Sequence, residues 1–272
     1  MLAASRAALK AAQDRLDEHL DGLPPATMDE LADELLAVVD LLDREPEVRR
    51  LLTDPGAPPD ARIGLFDRLV GGKLTPAVLD QLRPLVGDRW SRPGDLADTI
   101  ELLAFQAILA VAERAGELDE VQDELFRFGR IVAGQLELRR VLADQTAPAD
   151  GRGELLHRLV GGKVHAAAER LLARAVQAPR GLQLEVALER LVELAAQRRE
   201  RYVAYVRTAA ALTEAQQSRL AETLSRIYRR SIDVVLEIDP ELLGGLVVRV
   251  NDEVIDGSVA HRLAAARRLL AG

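Results

Sequence analysis

The tripeptide Gly-Gly-Lys occurs twice, at 71–73 and 161–163, and a Gly-Lys pair is where a phosphate-binding loop would be sought. Such a loop needs a glycine five positions before its Gly-Lys, so that backbone N–H groups can cradle phosphate, and a Ser or Thr after the lysine to hold magnesium. Asp67 and His157 occupy the first place, and Leu74 and Val164 the second, so neither requirement is met. Each Gly-Gly follows a Leu-Val pair, as expected where the last turn of a helix closes with a left-handed residue. The four histidines, His19, His157, His165 and His261, lack a metal-ligand spacing such as His-x-x-x-His and have no cysteine companions. His157 and His165 read as solvated surface, because the corresponding places of an earlier repeat hold Asp67 and Thr75. No serine stands in a nucleophile elbow, and the carboxylates are scattered along helix faces, where salt bridges and solvation use them. The sequence therefore assigns no catalytic, cofactor-binding or metal-ligating residue, and no cofactor.

The elements around these residues are mostly helices. The chain has 272 residues, enough for about two domains, and 48% of them are hydrophobic while only 3% are aromatic. Ala, Leu, Arg and Glu, all good helix formers, dominate most of the length. The absence of cysteine excludes a disulfide framework and fits a reducing compartment. A net charge of −8 with acids and bases mixed throughout excludes a nucleic-acid footprint, which wants clustered basic charge. The longest apolar stretch, Leu102 to Ala112, is interrupted by Gln106 and is too short to span a bilayer. The N-terminus, with Arg6, Lys10, Asp14 and Arg15 among Ala and Leu, reads as an amphipathic helix rather than a secretory signal.

The chain carries a duplication. EVRRLLTDPGAPPDARIGLFDRLVGGK at 47–73 aligns without gaps to ELRRVLADQTAPADGRGELLHRLVGGK at 137–163, with sixteen identities in twenty-seven positions at a constant offset of 90. That period is too long for a solenoid and implies two copies of one helical bundle, placed at 1–92 and 93–201. Within a copy, Thr27 to Glu30 reads as a capping box ahead of the apolar face Leu31, Leu35, Val38, Val39 and Leu42. Pro58 and Pro148 stand where a helix can begin. The apolar segment 93–115 lies where one copy ends and the next begins, and either opens the second copy or serves both bundles.

After Arg201 the pattern changes to a small α+β domain, 202–272. Strands are expected at Tyr202–Thr208, Ser231–Ile238, Leu246–Val250 and Glu253–Ile255, with a helix from Thr213 to Arg230 opened by a second capping box, Thr213 to Gln216. Leu220, Leu224 and Ile227 form its stripe, and Ile232, Val234, Leu236 and Ile238 one face of a strand. Gly244 and Gly245 permit a tight entry to the next strand, Asn251–Asp252 suit a two-residue hairpin turn, and Asp256 or Ser258 can cap a final helix with Val259, Leu263 and Leu270 on its stripe.

The run from Asp239 to Leu263, with Gly244-Gly245, the hairpin and then Asp256-Gly257-Ser258-Val259, resembles the C-terminal signature of the delta subunit of F-type ATP synthases, equivalent to the mitochondrial oligomycin-sensitivity-conferring protein. The family resemblance extends to Glu137–Asp144 and the short helix after it, and the chain departs from it in carrying the helical bundle twice, as longer members do. The resemblance implies a mainly α protein with two tandem bundles and a C-terminal α+β domain, acting as a non-catalytic stator subunit. It implies that a bundle groove binds the N-terminal segment of an alpha subunit and that the C-terminal domain holds b-type peripheral stalk subunits. It also implies a place at the cytoplasmic face of a bacterial plasma membrane, reached only through the complex. Gly244, Gly245, Asn251, Asp252, Asp256, Gly257 and Ser258 then serve the fold or the stalk contact. A helical adaptor made bivalent by its duplication is the reading without the motif. An enzyme using the cleft between bundle and α+β domain would need convergent titratable groups that the sequence does not offer.

Overall fold

The computed structural model describes residues 1–70, 72–200, 203–228, 232–240, 242, 244–250 and 253–259. They fall into two compact units, Met1–Ala195 and Ala196–Gly272. The first unit is helical: α1 (Ala3–Leu20), α2 (Pro25–Arg44), α3 (Pro46–Leu52), α4 (Pro59–Val70), α5 (Pro76–Gly87), α6 (Pro93–Ala115), α7 (Leu118–Gly134), α8 (Leu136–Ala143), α9 (Ala149–Val160), α10 (Ala166–Gln177) and α11 (Leu184–Glu200). The offset of 90 found in the sequence holds for these elements. The starts and ends of α4 and α9 obey it, as do those of α5 and α10, and Ala3 at the head of α1 corresponds to Pro93 at the head of α6. Leu184, which opens α11, corresponds in turn to Gly94 in α6. Each copy is therefore six helices, α1 to α6 and α6 to α11, with α6 closing the first and opening the second.

Proline starts α2, α3, α4, α5 and α6, where its missing N–H has no helical partner to lose. Left-handed glycines close two repeat-equivalent turns: Gly72 has φ +75° after α4 and Gly162 φ +68° after α9. Thr27, expected to cap α2, lies inside its first turn instead, because the helix begins two residues earlier on Pro25 with Pro24 as its cap. The apolar face read from the sequence, Leu31, Leu35, Val38, Val39 and Leu42, is buried in full.

Helix α6 is apolar nearly all round, with Leu96, Ala97, Ile100, Leu103, Ala104, Ala107, Ile108 and Leu109 each almost entirely buried. Such a helix needs neighbours on every side. It packs on α1, α2, α3 and α5 of the first copy and on α7 and α10 of the second, so one apolar core runs without a break from Ala8 to Ala195.

The second unit contains β1 (Val203–Thr208), α12 (Glu214–Tyr228), β2 (Asp233–Ile238), β3 (Leu246–Val250) and β4 (Glu253–Asp256). The sheet order is β2-β1-β3-β4, with β1 and β2 parallel across α12 and the other pairs antiparallel. The chain is thus mainly α with a small C-terminal α+β part, as expected from the sequence. Ala204, Val206, Leu224, Ile232, Val248 and Val250 form the sheet's core. The capping box at Thr213 is present, with the Thr213 N–H donating to Gln216 Oε1 at 2.9 Å and the Gln216 N–H to Thr213 Oγ1 at 3.3 Å. Two expected core residues lie outside it: Ile227, near the end of α12, and Ile238, at the last position of β2, are 58% and 57% exposed. Ile227 lies in the last turn of its helix and Ile238 at the end of its strand, where the apolar pattern runs on past the core. The expected turn residues Asn251 and Asp252, and the final-helix positions from residue 260 onward, lie outside the described residues.

Candidate partner-docking surfaces

In the C-terminal unit the two halves of the glycine-rich signature meet. Gly244 (φ +129°) and Gly245 (φ +83°) enter β3 in a conformation that other residues rarely adopt. The carbonyl of Gly244 accepts the N–H of Val259 at 3.0 Å, and the carbonyl of Leu246 accepts the N–H of Gly257 at 3.0 Å. A β-carbon on Gly245 would stand 2.4 Å from the Gly257 carbonyl oxygen, so the backbones approach as closely as glycine allows. Asp256 accepts the Ser258 N–H at 2.9 Å, and Ser258 is buried. Five of the seven signature residues, Gly244, Gly245, Asp256, Gly257 and Ser258, are therefore gathered into one backbone brace; Asn251 and Asp252 are the two outside the described residues.

The helical unit is held by polar anchors that recur at the repeat offset. Arg62 on α4 is 4% exposed and donates to the carbonyls of Asp88 and Gly87, each at 2.8 Å. Arg152 on α9 does the same for Val176 and Gln177. Each arginine thus satisfies the carbonyls that a helix leaves unpaired at its C-terminal end. Glu34 on α2 accepts the Thr75 N–H at 2.8 Å, and Glu124 on α7 accepts the His165 N–H at 2.9 Å, each capping the helix that follows. His165 Nδ1 also lies 2.9 Å from Glu124, and that hydrogen bond holds the imidazole pKa above its ordinary value. His157 bonds Glu169 at 2.6 Å with its side chain largely exposed. Among the described residues no cluster of His, Cys, Asp and Glu could hold a metal ion.

Between the copies runs a set of ion pairs that the sequence reading did not anticipate. Arg170 reaches Asp29 and Asp33 on α2. Arg174 bonds Asp40 at 2.6 Å and Glu101 at 2.8 Å. Arg180 bonds Asp43 at 2.7 Å, Asp98 at 3.0 Å and Glu101 at 3.1 Å. Burial works against the charged forms of Arg174 and Arg180, yet the carboxylates around them more than offset it and raise both pKa values. The available sequence signal was a departure from the repeat: the first-copy counterparts of these arginines are Asp80, Pro84 and Trp90.

Several grooves open on the second copy, two of which flank α11 over much of its length. One, of about 350 Å³, lies between α6, α10 and α11, with Leu102, Phe105, Leu191 and Leu194 as its apolar part and Arg180 and Arg190 at its edge. The other lies between α7 and α11. A groove with an apolar wall between helices is the kind of surface on which an amphipathic helix docks. No described helix is long and apolar enough to cross a membrane.

Comparison with known proteins agrees with this architecture. Residues 106–270 match the family model described as ATP synthase delta (OSCP) subunit. The chain is 47% identical over all of its length, and all of the relative's, to a protein of Streptomyces griseus named ATP synthase subunit delta. It is 48% identical to the protein of that name in Streptomyces avermitilis, covering 98% of each chain, and 47% identical to that of Thermobifida fusca, covering 100% of each.

Proposed function

Because this chain belongs to the ATP synthase delta (OSCP) subunit family, a non-catalytic subunit of the complex, we propose that it is the stator clamp that ties the alpha/beta head to the peripheral stalk. In this reading the groove between α6, α10 and α11 receives the N-terminal segment of an alpha subunit as an amphipathic helix. The C-terminal unit holds the b-type stalk chains, with the brace at Gly245 and Gly257 shaping that surface. In this reading the complex holds the chain at the cytoplasmic face of the plasma membrane. A clamp needs packed helices and a slow off-rate rather than a reactive group. The observation that supports this groove is that its α10 and α11 walls lie within the family match, residues 106–270, while its α6 wall, with Leu102 and Phe105, lies just ahead of it.

The test uses the whole chain, since cutting at residue 92 would part α6 from the first-copy helices it packs on. A peptide of the alpha-subunit N-terminal segment from the same organism, titrated calorimetrically, binds one to one, and Phe105→Glu weakens it by about a hundredfold through a charge placed on the apolar contact. Unchanged binding by Phe105→Glu moves the contact to another groove. No binding by the folded chain removes the alpha-segment mechanism.

A further inference from the structure

The two copies are not equally covered. In the first, the face formed by α2 and α6 is overlaid by α10 of the second, whose Arg170 and Arg174 reach acids on α2 and α6. The equivalent face of the second copy, formed by α7 and α11, bears an open groove of about 440 Å³ instead. Phe126 on α7 is 56% exposed there, whereas its first-copy counterpart Leu36 is half-buried against the common core. A terminal repeat ordinarily shows a polar outer face. This one keeps Phe126 exposed and Val192 half-buried along the groove, above the buried Leu125 and Leu188.

We propose that the groove between α7 and α11 is the docking site for a basic amphipathic helix of another protein subunit. Charge selects this occupant. The groove's charged lining is Arg130 on α7 and Glu185, Glu189 and Glu193 on α11; Glu185 is taken by Arg139, while Glu189 and Glu193, four residues apart and exposed, have no ion pair among the described residues and leave the α11 wall acidic. A helix with two basic residues four apart, flanking an apolar stripe, matches this acidic wall and the exposed Phe126, and Arg170 and Arg174 of α10 have that spacing. Gly129 on α7 leaves room for such a helix, since only the β-carbon of Leu188, 3.9 Å away, comes near where its own β-carbon would stand.

The probe is a labelled peptide of residues 164–180, the chain's own covering helix, titrated into the full chain. One-to-one binding is expected, weakened about tenfold by Glu189→Lys with Glu193→Lys, since reversing rim charges slows association, and lost with Phe126→Glu. All three positions are on the surface or at the groove edge, and far-UV circular dichroism verifies that the variants remain folded. In the assembled complex, a photocrosslinker in place of Phe126 should attach to a basic helical segment of a different subunit. Absent or variant-insensitive peptide binding overturns the proposal, and so does a crosslink confined to this chain or to a second copy of it. A chain that fails these tests yet co-purifies with the head and stalk subunits loses this groove while the stator reading stands.

Discussion

Ser5 donates its hydroxyl proton to Asp95 at 2.7 Å, and the two residues occupy the same position in α1 and α6, the helices that open the two copies. Both side chains are buried, and Ser5 Oγ in turn accepts the Ser91 N–H at 2.8 Å. A repeat position thus hydrogen-bonds to its own duplicate. Ser5→Ala leaves the Asp95 carboxylate short of a donor and the Ser91 N–H short of an acceptor, and should cost the helical unit about 1–3 kcal/mol in denaturant unfolding. A loss below a few tenths of that would show that Arg92, 3.5 Å from Asp95, suffices by itself.

Arg62 and Arg152 should be equally intolerant of change. Replacing either by Met strands two helix-terminal carbonyls and should destabilise by about 2–3 kcal/mol, whereas Lys, with no planar fork, should recover only part of this. Urea titration of the two variants checks both magnitude and likeness.

Arg180 faces three carboxylates with its own side chain 12% exposed. Arg180→Met should cost about 2–4 kcal/mol, because Asp98 loses its cation and Asp43 and Glu101 keep only Arg49 and Arg174. Adding Asp98→Asn should restore part of the loss, and additive losses in that double-mutant cycle would show that the charges act independently.

The His165–Glu124 pair predicts a pH dependence. The folded imidazole pKa lies above the ordinary value of 6.5. Its stabilisation is therefore complete below that value and fades as pH rises through the folded pKa. Glu124→Gln keeps an acceptor for the His165 N–H but removes the charge, so the gap in Tm between variant and wild type should be wider in mildly acidic buffer than in mildly alkaline buffer.

Gly245→Ala should disrupt the C-terminal unit. A side chain at φ +83° would meet the Gly257 carbonyl, a combination expected to cost about 2–4 kcal/mol. In calorimetry the transition of that unit should move while the transition of the helical unit stays in place.

Much of this was legible in the sequence because the duplication exposes it. Arg62 and Arg152 are identical residues at the repeat offset, and Gly72 and Gly162 follow helices in both copies. The Thr213 box was readable because its partners lie three residues apart. The inter-copy ion pairs were not, since Arg170 meets Asp29 across most of the chain and no local spacing encodes that. Ile227 and Ile238 misled for a related reason: periodicity tells which side a residue takes, and not where the core ends. The cap from Glu124 to the His165 N–H was hidden because Thr75 and His165, its two recipients at the repeat offset, share no side-chain chemistry.

Helix α6 is common property of both copies, and this fixes where the helical unit can bend. A duplication joined by a loop would have a swivel between its halves. Here the chain passes from one half to the other along a single rod of 23 residues, about 35 Å long. A sideways load on either half would have to shear packed side chains along that rod rather than open a joint. The unit should therefore respond as a stiff beam, and any elastic give in the chain must be stored outside residues 93–115.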